Sequence, residues 1–209
     1  GGALARNAAR EWSQLQATGV TTLVQRCDTA EAAHVRRLAA FGRGPCGVWH
    51  AAGVLADGVL STQTAAALAR VYAPKTHGAW TLQRACAVLA LRACALFSSV
   101  SALLGGAAQA NYSAANACLD AFASCRRVRS QAGASVQWGA WAEVGMAARG
   151  AASERMAAME AAAGFGRIGL SQGVGALHVA VLARAPSPLG VVPVQWQRAL
   201  VGGSVPAFL

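Results

Sequence analysis

The stretch "CALFSSVSALLGGAAQANYSAANACLDAF", residues 94–122, contains the two kinds of element from which we infer the fold. Its first part, "CALFSS", is a short apolar run that ends in serines and predicts a buried strand. Its last part predicts a helix from Asn111 to about Gln131. Tyr112 and Asn116 are four residues apart, so they share one face of this helix.

The same alternation of strands and helices continues in both directions along the chain. The predicted strands are residues 20–28, 46–53, 94–99, 134–141 and 190–196. The predicted helices are residues 3–19, 29–42 with Thr29 as its N-cap, 62–91, 111–131 and 171–184, and a variable segment covers 143–169. The pattern predicts an α/β fold, with a doubly wound parallel sheet and helices on both faces.

The predicted strands end in small or polar residues. These ends are Asp28, "HAAG" (50–53), "SSVS" (98–101) and "WGAW" (138–141). Ligands of such sheets bind beyond the carboxyl ends of the strands. The sequence therefore places the serines and the start of the Tyr112 helix on the rim of one candidate site.

The composition indicates one folded domain over residues 1–209. Hydrophobic residues make up 55% of the chain and charged residues 12%, which argues against disorder. No apolar run reaches the length of a membrane span, and the N-terminal residues have no signal-peptide core. We therefore expect a cytoplasmic protein without a membrane partner. The six cysteines form no CxxC pair, so no metal site is predicted.

The distribution of charge argues against a nucleic-acid partner. The net charge is +10, but the basic residues are spread along the chain without a stripe, so we predict no nucleic-acid partner. An acidic protein partner stays compatible with this charge.

Of the 18 basic residues only Lys75 is a lysine. A position that needs a compact ammonium would keep lysine, whereas surface charge alone would accept arginine.

Four segments together resemble the ketoreductase domain of modular type I polyketide synthases, within the short-chain dehydrogenase/reductase superfamily. They are "GVWHAAGVLADGVL" (47–60), "YAPKTHGAW" (72–80), "ALFSSVSALLGGAAQANYSAANACLDAF" (95–122) and "ASVQWGAWAEVGMAARG" (134–150). The closing "VVPVQWQRAL" extends the resemblance over nearly the whole chain. It implies a Rossmann-like fold and NADPH-dependent reduction of a β-ketoacyl thioester to a β-hydroxyacyl thioester.

The resemblance implies four catalytic residues. Ser99 is the second serine of the "FSS" motif, Tyr112 is the motif tyrosine, and Asn116 is the motif asparagine. Lys75 belongs to the "APK" motif. Most of the superfamily has lysine at the position of Asn116, and ketoreductases of this group resemble one another in exchanging the two.

The chemistry of these side chains fits ketone reduction. Hydride transfer to a ketone requires a proton for the forming alkoxide, and a free phenol, with a pKa of about 10, is a weak acid at neutral pH. A nearby ammonium such as Lys75 makes the Tyr112 phenol more acidic. Ser99 can hydrogen-bond the carbonyl oxygen, and Asn116 can hold a water or Lys75 in a proton relay.

The resemblance also implies a cofactor site and a substrate side. The cofactor residues are Asp28, Ala52, Gly53, Lys75, Tyr112 and Gly139, and Lys75 reaches the ribose hydroxyls. The substrate and stereochemistry residues are Asp57, Gln109 and Trp141. Two local alternatives stay open, because Asp28 also suits a helix cap, and Trp141 with Trp138 also suits the core. We interpret His50 as a hydrogen-bonded core histidine.

The resemblance also implies the configuration of the alcohol product, through a sequence signature that this chain matches in part. Asp57 matches the last residue of the "LDD" signature of B-type reductases, although Ala56 replaces the first aspartate. The tryptophan of A-type reductases is absent, since that position is Leu104. We therefore expect the D-configured alcohol. A turn residue beside Gly58 is the local alternative for Asp57.

The sequence departs from the family at its beginning, where no GxGxxG turn occurs. We expect a fragment that lacks the first βαβ unit and does not work as a reductase alone. The preference for NADPH over NADH rests on the resemblance only. The implied partners are an acyl carrier protein with its phosphopantetheine-bound substrate, and other synthase domains. Two other functions stay open, a non-catalytic reductase remnant in a megasynthase and a free-standing carbonyl reductase.

Overall fold

Four strands form one parallel sheet at the centre of the protein. The computed structural model describes residues 9–40, 44–145, 153–182 and 184–200. Within these ranges the strands lie in the order β1-β2-β3-β4 and all pairs are parallel. Their bounds are Gly47–His50 (β1), Ala93–Ser99 (β2), Ala134–Trp138 (β3) and Leu189–Val191 (β4). The predicted α/β class with a parallel sheet is confirmed.

Helices connect the strands, as parallel pairing requires. Their bounds are Ala9–Ala17 (α1), Ala32–Ala39 (α2), Ala65–Tyr72 (α3), Gly78–Ala85 (α4), Ser101–Leu104 (α5), Ala110–Val128 (α6), Ser153–Ala162 (α7), Leu170–Ala180 (α8) and Trp196–Ala199 (α9). A 3-10 turn covers Leu60–Thr62, and a π-helical turn covers Ala73–His77. The first six residues of the predicted helix over 3–19 lie outside the described residues.

The two faces of the sheet carry separate apolar clusters. On one face Cys94 and Leu96 of β2 pack with Leu119 of α6 and with α4. On the other face Val136 and Trp138 of β3 pack with α8 and with Ile168. Side chains alternate between the faces of a strand, so β2 contributes Leu96 to the first cluster and Phe97 to the second. The predicted helices on both faces are therefore present.

A π-helical turn interrupts the long helix predicted over 62–91. Proline has no N–H to donate and its ring clashes with the preceding turn, so Pro74 breaks the regular pattern. Two side chains bind the carbonyls of this turn. The ring Nε2 of His50 lies 3.0 Å from the carbonyl oxygen of Lys75, and Thr29 donates to the carbonyl of Pro74. The break therefore fixes the backbone of Lys75 at the end of β1.

The predicted strand over 20–28 and the predicted N-cap at Thr29 were wrong. Residues 20–28 have no regular secondary structure, because no described strand pairs with them. The following helix begins at Ala32 with Glu31 as its N-cap. The hydroxyl of Thr29 binds the π turn instead. A run of β-branched residues forms a strand only where a neighbouring strand completes its hydrogen bonds.

The other predicted boundaries differ by a few residues. β3 stops at Trp138 and β4 at Val191, whereas the predicted strands run to 141 and 196.

No described helix is long and apolar enough to cross a membrane. Within the described ranges no three metal-binding side chains lie together.

Candidate active site

Four elements meet at the carboxyl edge of the sheet. β1 ends at His50 and β2 ends at Ser99, while the π turn and the first turn of α6 lie above these ends. The four predicted catalytic residues are distributed over three of these elements. The structure brings Lys75, Tyr112, Asn116 and Ser99 together at the end of β2.

The ammonium of Lys75 is buried beneath α6. Only 3% of the Lys75 side chain surface is exposed. Its Nζ donates to Oδ1 of Asn116 at 2.8 Å and to the carbonyl of Phe97 at 3.0 Å. Nζ also lies 5.1 Å from the centre of the Tyr112 ring, over its face. Burial lowers the pKa of Lys75 to about 8, and the negative charge of Asp120 opposes this effect.

Asn116 connects Lys75 with the helix that carries the tyrosine. Asn116 is fully buried, and its Nδ2 donates to the main-chain oxygen of Tyr112 at 2.9 Å. Ser98 donates to the carbonyl of Asn116 at 3.2 Å, which fastens α6 to the end of β2. Both polar atoms of the Asn116 amide are therefore hydrogen-bonded. The side chain stays in one orientation, with its oxygen directed at Lys75.

Tyr112 presents a protonated phenol at neutral pH. Burial raises the pKa of Tyr112 above its usual value of 10.0. Hydrogen bonding with the side chains of Asn116 and Ser99 partly offsets this rise, and the negative charge of Asp57 adds to it. A phenol with a raised pKa retains its proton until a reaction partner takes it.

Ser99 stands at the last position of β2, next to the phenol. Its Oγ accepts a hydrogen bond of 3.2 Å from the main-chain N–H of Ser101. A serine hydroxyl can accept in this way and still donate its own proton. Ser99 and Tyr112 therefore form a pair of hydroxyl donors at the end of one strand.

The predicted cofactor residues have different surroundings. A Cβ on Gly53 would lie 3.0 Å from Cε of Lys75, so the bare backbone of Gly53 leaves room for that side chain. Ala52 is half-buried beside it. Gly139 packs against Val192, and its N–H donates to the carbonyl of Val191. Gly53 thus belongs to the Lys75 cluster, whereas these contacts of Gly139 are packing contacts.

The described hydrogen bonds of Asp28 are with Ala30, Glu31 and His34 and not with the four predicted catalytic residues. Its side chain is exposed, and Oδ1 accepts from the main-chain N–H of Ala30 at 2.9 Å. The main-chain N–H of Asp28 donates to Nδ1 of His34. These local contacts order the chain before α2, but the N-cap of that helix is Glu31, so Asp28 is a turn residue and not the helix cap that the local alternative predicted.

The predicted substrate residues Asp57 and Gln109 contact each other. Nε2 of Gln109 donates to Oδ2 of Asp57 at 3.2 Å. The adjacent residues extend this connection, because Asn111 donates to the carbonyl of Ala56 at 2.8 Å. Oδ1 of Asn111 also accepts from the N–H of Tyr112 at 2.7 Å. The loop that contains Asp57 is therefore bound to the first turn of α6.

The sequence prediction did not include Asn111. Asn111 is 3% exposed, and both polar atoms of its amide are used. A polar residue one position before the motif tyrosine was the available signal. That signal was weak, because asparagine near a helix start more often serves as a cap.

Trp141 belongs to the apolar cluster on the α8 face. Its ring centre lies 4.9 Å from that of Trp138, and a Cβ on Gly173 would overlap the Trp141 ring. Trp138 in turn lies 5.5 Å from Phe97. The described contacts of Trp141 are therefore those of a core residue. His50 is buried and hydrogen-bonded to Lys75, which confirms its interpretation as a core histidine.

Comparison with known proteins shows the family of the chain. The model of the family described as "KR domain" matches residues 2–143. Polyketide synthase GfsA of Streptomyces halstedii is 35% identical over all of this chain, which covers 3% of that protein. The phthioceranic/hydroxyphthioceranic acid synthase of Mycobacterium tuberculosis (strain H37Rv) is 41% identical over 63% of this chain and 6% of its own length.

Solved structures show the same arrangement of elements. The first ketoreductase of the tylosin polyketide synthase superposes with a TM-score of 0.80 at 34% identity. That match covers 93% of this chain and 42% of the solved chain. An A1-type ketoreductase superposes with a TM-score of 0.84 at 31% identity over 93% of this chain and 41% of the other. The chain thus spans about two-fifths of each of these structures.

Proposed function

Because this chain belongs to the ketoreductase domain family of polyketide synthases, we propose that it reduces a β-ketoacyl thioester to a β-hydroxyacyl thioester with NADPH. The chain of contacts from Lys75 through Asn116 to Tyr112 is the observation that supports this function most directly. A non-catalytic remnant would have no need to keep a buried ammonium beside a buried phenol, since each costs desolvation energy.

Tyr112 supplies the proton in this reaction. Its pKa is raised by burial, so the phenol carries its proton at neutral pH. The Lys75 ammonium over the ring stabilises negative charge on the phenol as the proton leaves. The proton therefore moves from Tyr112 to the substrate oxygen as that oxygen gains charge.

Ser99 and Asn116 orient the reacting groups. The Ser99 hydroxyl accepts from Ser101 and donates its proton to the substrate carbonyl, which stabilises the developing negative charge. Asn116 holds Nζ of Lys75 at 2.8 Å, so the ammonium stays under the phenol. After the reaction Lys75 returns a proton to the Tyr112 phenolate and is itself protonated again by solvent.

The residues at the end of β1 fit a nicotinamide nucleotide. Ala52 and Gly53 are small, and the missing Cβ of Gly53 leaves the Lys75 side chain space beside the backbone. Lys75 would hold the ribose hydroxyls, and Gly139 would lie at the nicotinamide end. The bound cofactor supplies the hydride that the side chains cannot provide. Asp28 would contact the adenine.

The substrate enters on the side of Asp57 and Gln109. We propose that an acyl carrier protein delivers it as a phosphopantetheine thioester and that other synthase domains share the polypeptide. The relatives named polyketide synthases support this arrangement. A carrier-bound thioester leaves the β-ketone free to reach Ser99 and Tyr112, while the pantetheine extends past the loop of Asp57.

The direct assay uses the natural polypeptide that contains this sequence. A β-ketoacyl N-acetylcysteamine thioester is incubated with NADPH, and the product is identified by mass spectrometry. We expect a β-hydroxyacyl thioester in equal amount to the NADPH oxidised. A second arm with NADH tests the cofactor preference, and a third with a carrier-bound substrate tests delivery. Cofactor binding without any reduced product would favour the remnant function instead.

A further inference from the structure

A row of polar side chains extends along α6 beyond the proposed catalytic residues. Tyr112, Asn116 and Asp120 follow at intervals of four and share one face of the helix. The first two contact Lys75. Asp120 has no part in the proton transfer described above, yet it lies one turn further along the same face.

Two buried side chains of β3 hold the carboxylate of Asp120 in place. Ser135 donates its hydroxyl to Oδ1 of Asp120 at 2.5 Å, and Gln137 donates Nε2 to Oδ2 at 2.8 Å. Ser135 is fully buried and Gln137 is 6% exposed. Polar side chains in a central strand are costly to bury unless they are paired. The strand thus carries two such residues whose partner is this one carboxylate.

Among the residues that the structure describes, the ammonium of Lys75 has no charged partner in direct contact. Its two hydrogen-bond acceptors, Oδ1 of Asn116 and the carbonyl of Phe97, are both neutral. Burial lowers the pKa of Lys75 to about 8, and the charge of Asp120 acts in the opposite direction. An opposite charge acts over several ångströms where water is excluded.

The other titratable groups near Lys75 do not provide this negative charge. From β1, His50 contacts the carbonyl of Lys75, and burial lowers the pKa of His50, which favours the neutral ring. From α6, Tyr112 has a raised pKa and is neutral as well. From the loop after β1, Asp57 affects the phenol of Tyr112 and is bound by Gln109 at the exposed edge.

We propose that Asp120 is a positioning residue that acts through Lys75: its carboxylate, fixed by Ser135 and Gln137, is the counter-charge that keeps the buried amine protonated beneath Tyr112. This inference rests on the proposed function for its catalytic meaning. The effect of Asp120 on the protonation of Lys75 does not depend on that function and can be measured without turnover.

The test uses the natural polypeptide that contains this sequence, in which Lys75 is the only lysine of the 209 residues. Lysine is labelled biosynthetically with 13C, the Cε signal of Lys75 is identified by its loss in Lys75→Arg, and its shift is followed by NMR as the pH is raised. We expect Asp120→Asn to lower the midpoint of this titration by roughly one pH unit, because loss of the opposite charge disfavours the ammonium. The substituted amide can still pair with Ser135 and Gln137.

Three variants separate charge from packing. Ser135→Ala removes one hydrogen bond but keeps the carboxylate, so the midpoint should stay near that of the wild type. Asp120→Glu retains the negative charge, so the titration midpoint of Lys75 should also stay near that of the wild type. Glu31→Gln makes the same change of charge at the exposed N-cap of α2 and should leave it unchanged. Asp120→Ser, also neutral, replaces Asp120→Asn if that variant does not fold.

An unchanged midpoint in a folded Asp120→Asn protein would overturn the proposal. So would an equal shift in Ser135→Ala, because it would assign the effect to packing. Absence of reductase activity in the wild type, together with the expected midpoint shift in Asp120→Asn, would instead contradict the proposed function and leave the electrostatic relationship intact. The two failures are therefore distinguishable.

Discussion

The ammonium of Lys75 donates a 2.8 Å hydrogen bond to Oδ1 of Asn116, although the two residues are 41 positions apart in the chain. The π turn presents the lysine and α6 presents the asparagine, and both face the end of β2. The contact places a positive charge beneath the ring of Tyr112, which stands one helical turn before Asn116. The proposed proton transfer depends on this placement.

Replacing Lys75 with arginine should abolish most of the activity although the charge is kept. The side chain is 3% exposed, and a broad guanidinium does not fit the space of a single ammonium beside Gly53. We expect a fall in kcat of at least about a hundredfold, because a misplacement near 1 Å has that cost. Arg70→Lys, on the exposed side of α3, is the control and should retain full activity. Equal rates in Lys75→Arg and wild type would show that only charge matters.

Adding one methyl group at Gly53 should disturb Lys75 directly. The new Cβ would lie 3.0 Å from Cε of Lys75, closer than ordinary contact. We expect Gly53→Ala to reduce kcat about tenfold, since the lysine must move by a few tenths of an ångström. Gly175→Ala on α8 meets no atom within 4 Å and should stabilise the protein by about 0.5 kcal/mol. Steady-state kinetics and thermal unfolding of both variants check this prediction.

The rate of reduction should fall as the pH rises through about 8. Burial lowers the pKa of Lys75 to about 8, so the ammonium predominates below that pH and the amine above it. The pKa of Tyr112 is raised, so loss of the phenolic proton occurs at higher pH. The pH profile of kcat should therefore show a decline whose midpoint follows Lys75. A constant rate up to about pH 10 would show that the reaction does not require the ammonium.

The product should be the D-configured alcohol, and its purity should depend on the contact between Gln109 and Asp57. Gln109→Leu removes the donor of the 3.2 Å hydrogen bond to Asp57, so the Asp57 carboxylate loses this contact on the substrate side. We expect a larger fraction of the opposite enantiomer with little change in stability. Gln16→Leu on the exposed side of α1 serves as the control. Chiral chromatography of the reduced thioester would contradict the assignment if the wild type gave mainly the L alcohol.

The periodicity of the sequence was sufficient for the sheet and for part of the site. Four apolar runs became the strands, and the four-residue spacing placed Tyr112 and Asn116 on one face of α6. The strand ends correctly located the edge at which Ser99 lies beside the tyrosine. These features depend on local spacing, which sequence patterns express directly.

Other features depended on contacts between distant segments. The π turn at Lys75 arises from Pro74 together with the hydrogen bonds of His50 and Thr29. The run over residues 20–28 has strand-forming residues but no paired neighbour in the described part of the protein. Asp120 becomes interpretable only when Ser135 and Gln137 are seen on the facing strand. Local patterns carry no information on such partners.

The most direct measurement compares Tyr112→Phe with Tyr72→Phe. These are the two tyrosines of the chain, and each substitution removes one hydroxyl while keeping the ring. Turnover of a β-ketoacyl thioester with NADPH is measured in the natural polypeptide, with circular dichroism as the check on folding. The account predicts a loss of at least about a thousandfold in kcat for Tyr112→Phe, which lacks the proton donor, and little loss for Tyr72→Phe. Near-normal turnover in a folded Tyr112→Phe protein would contradict it.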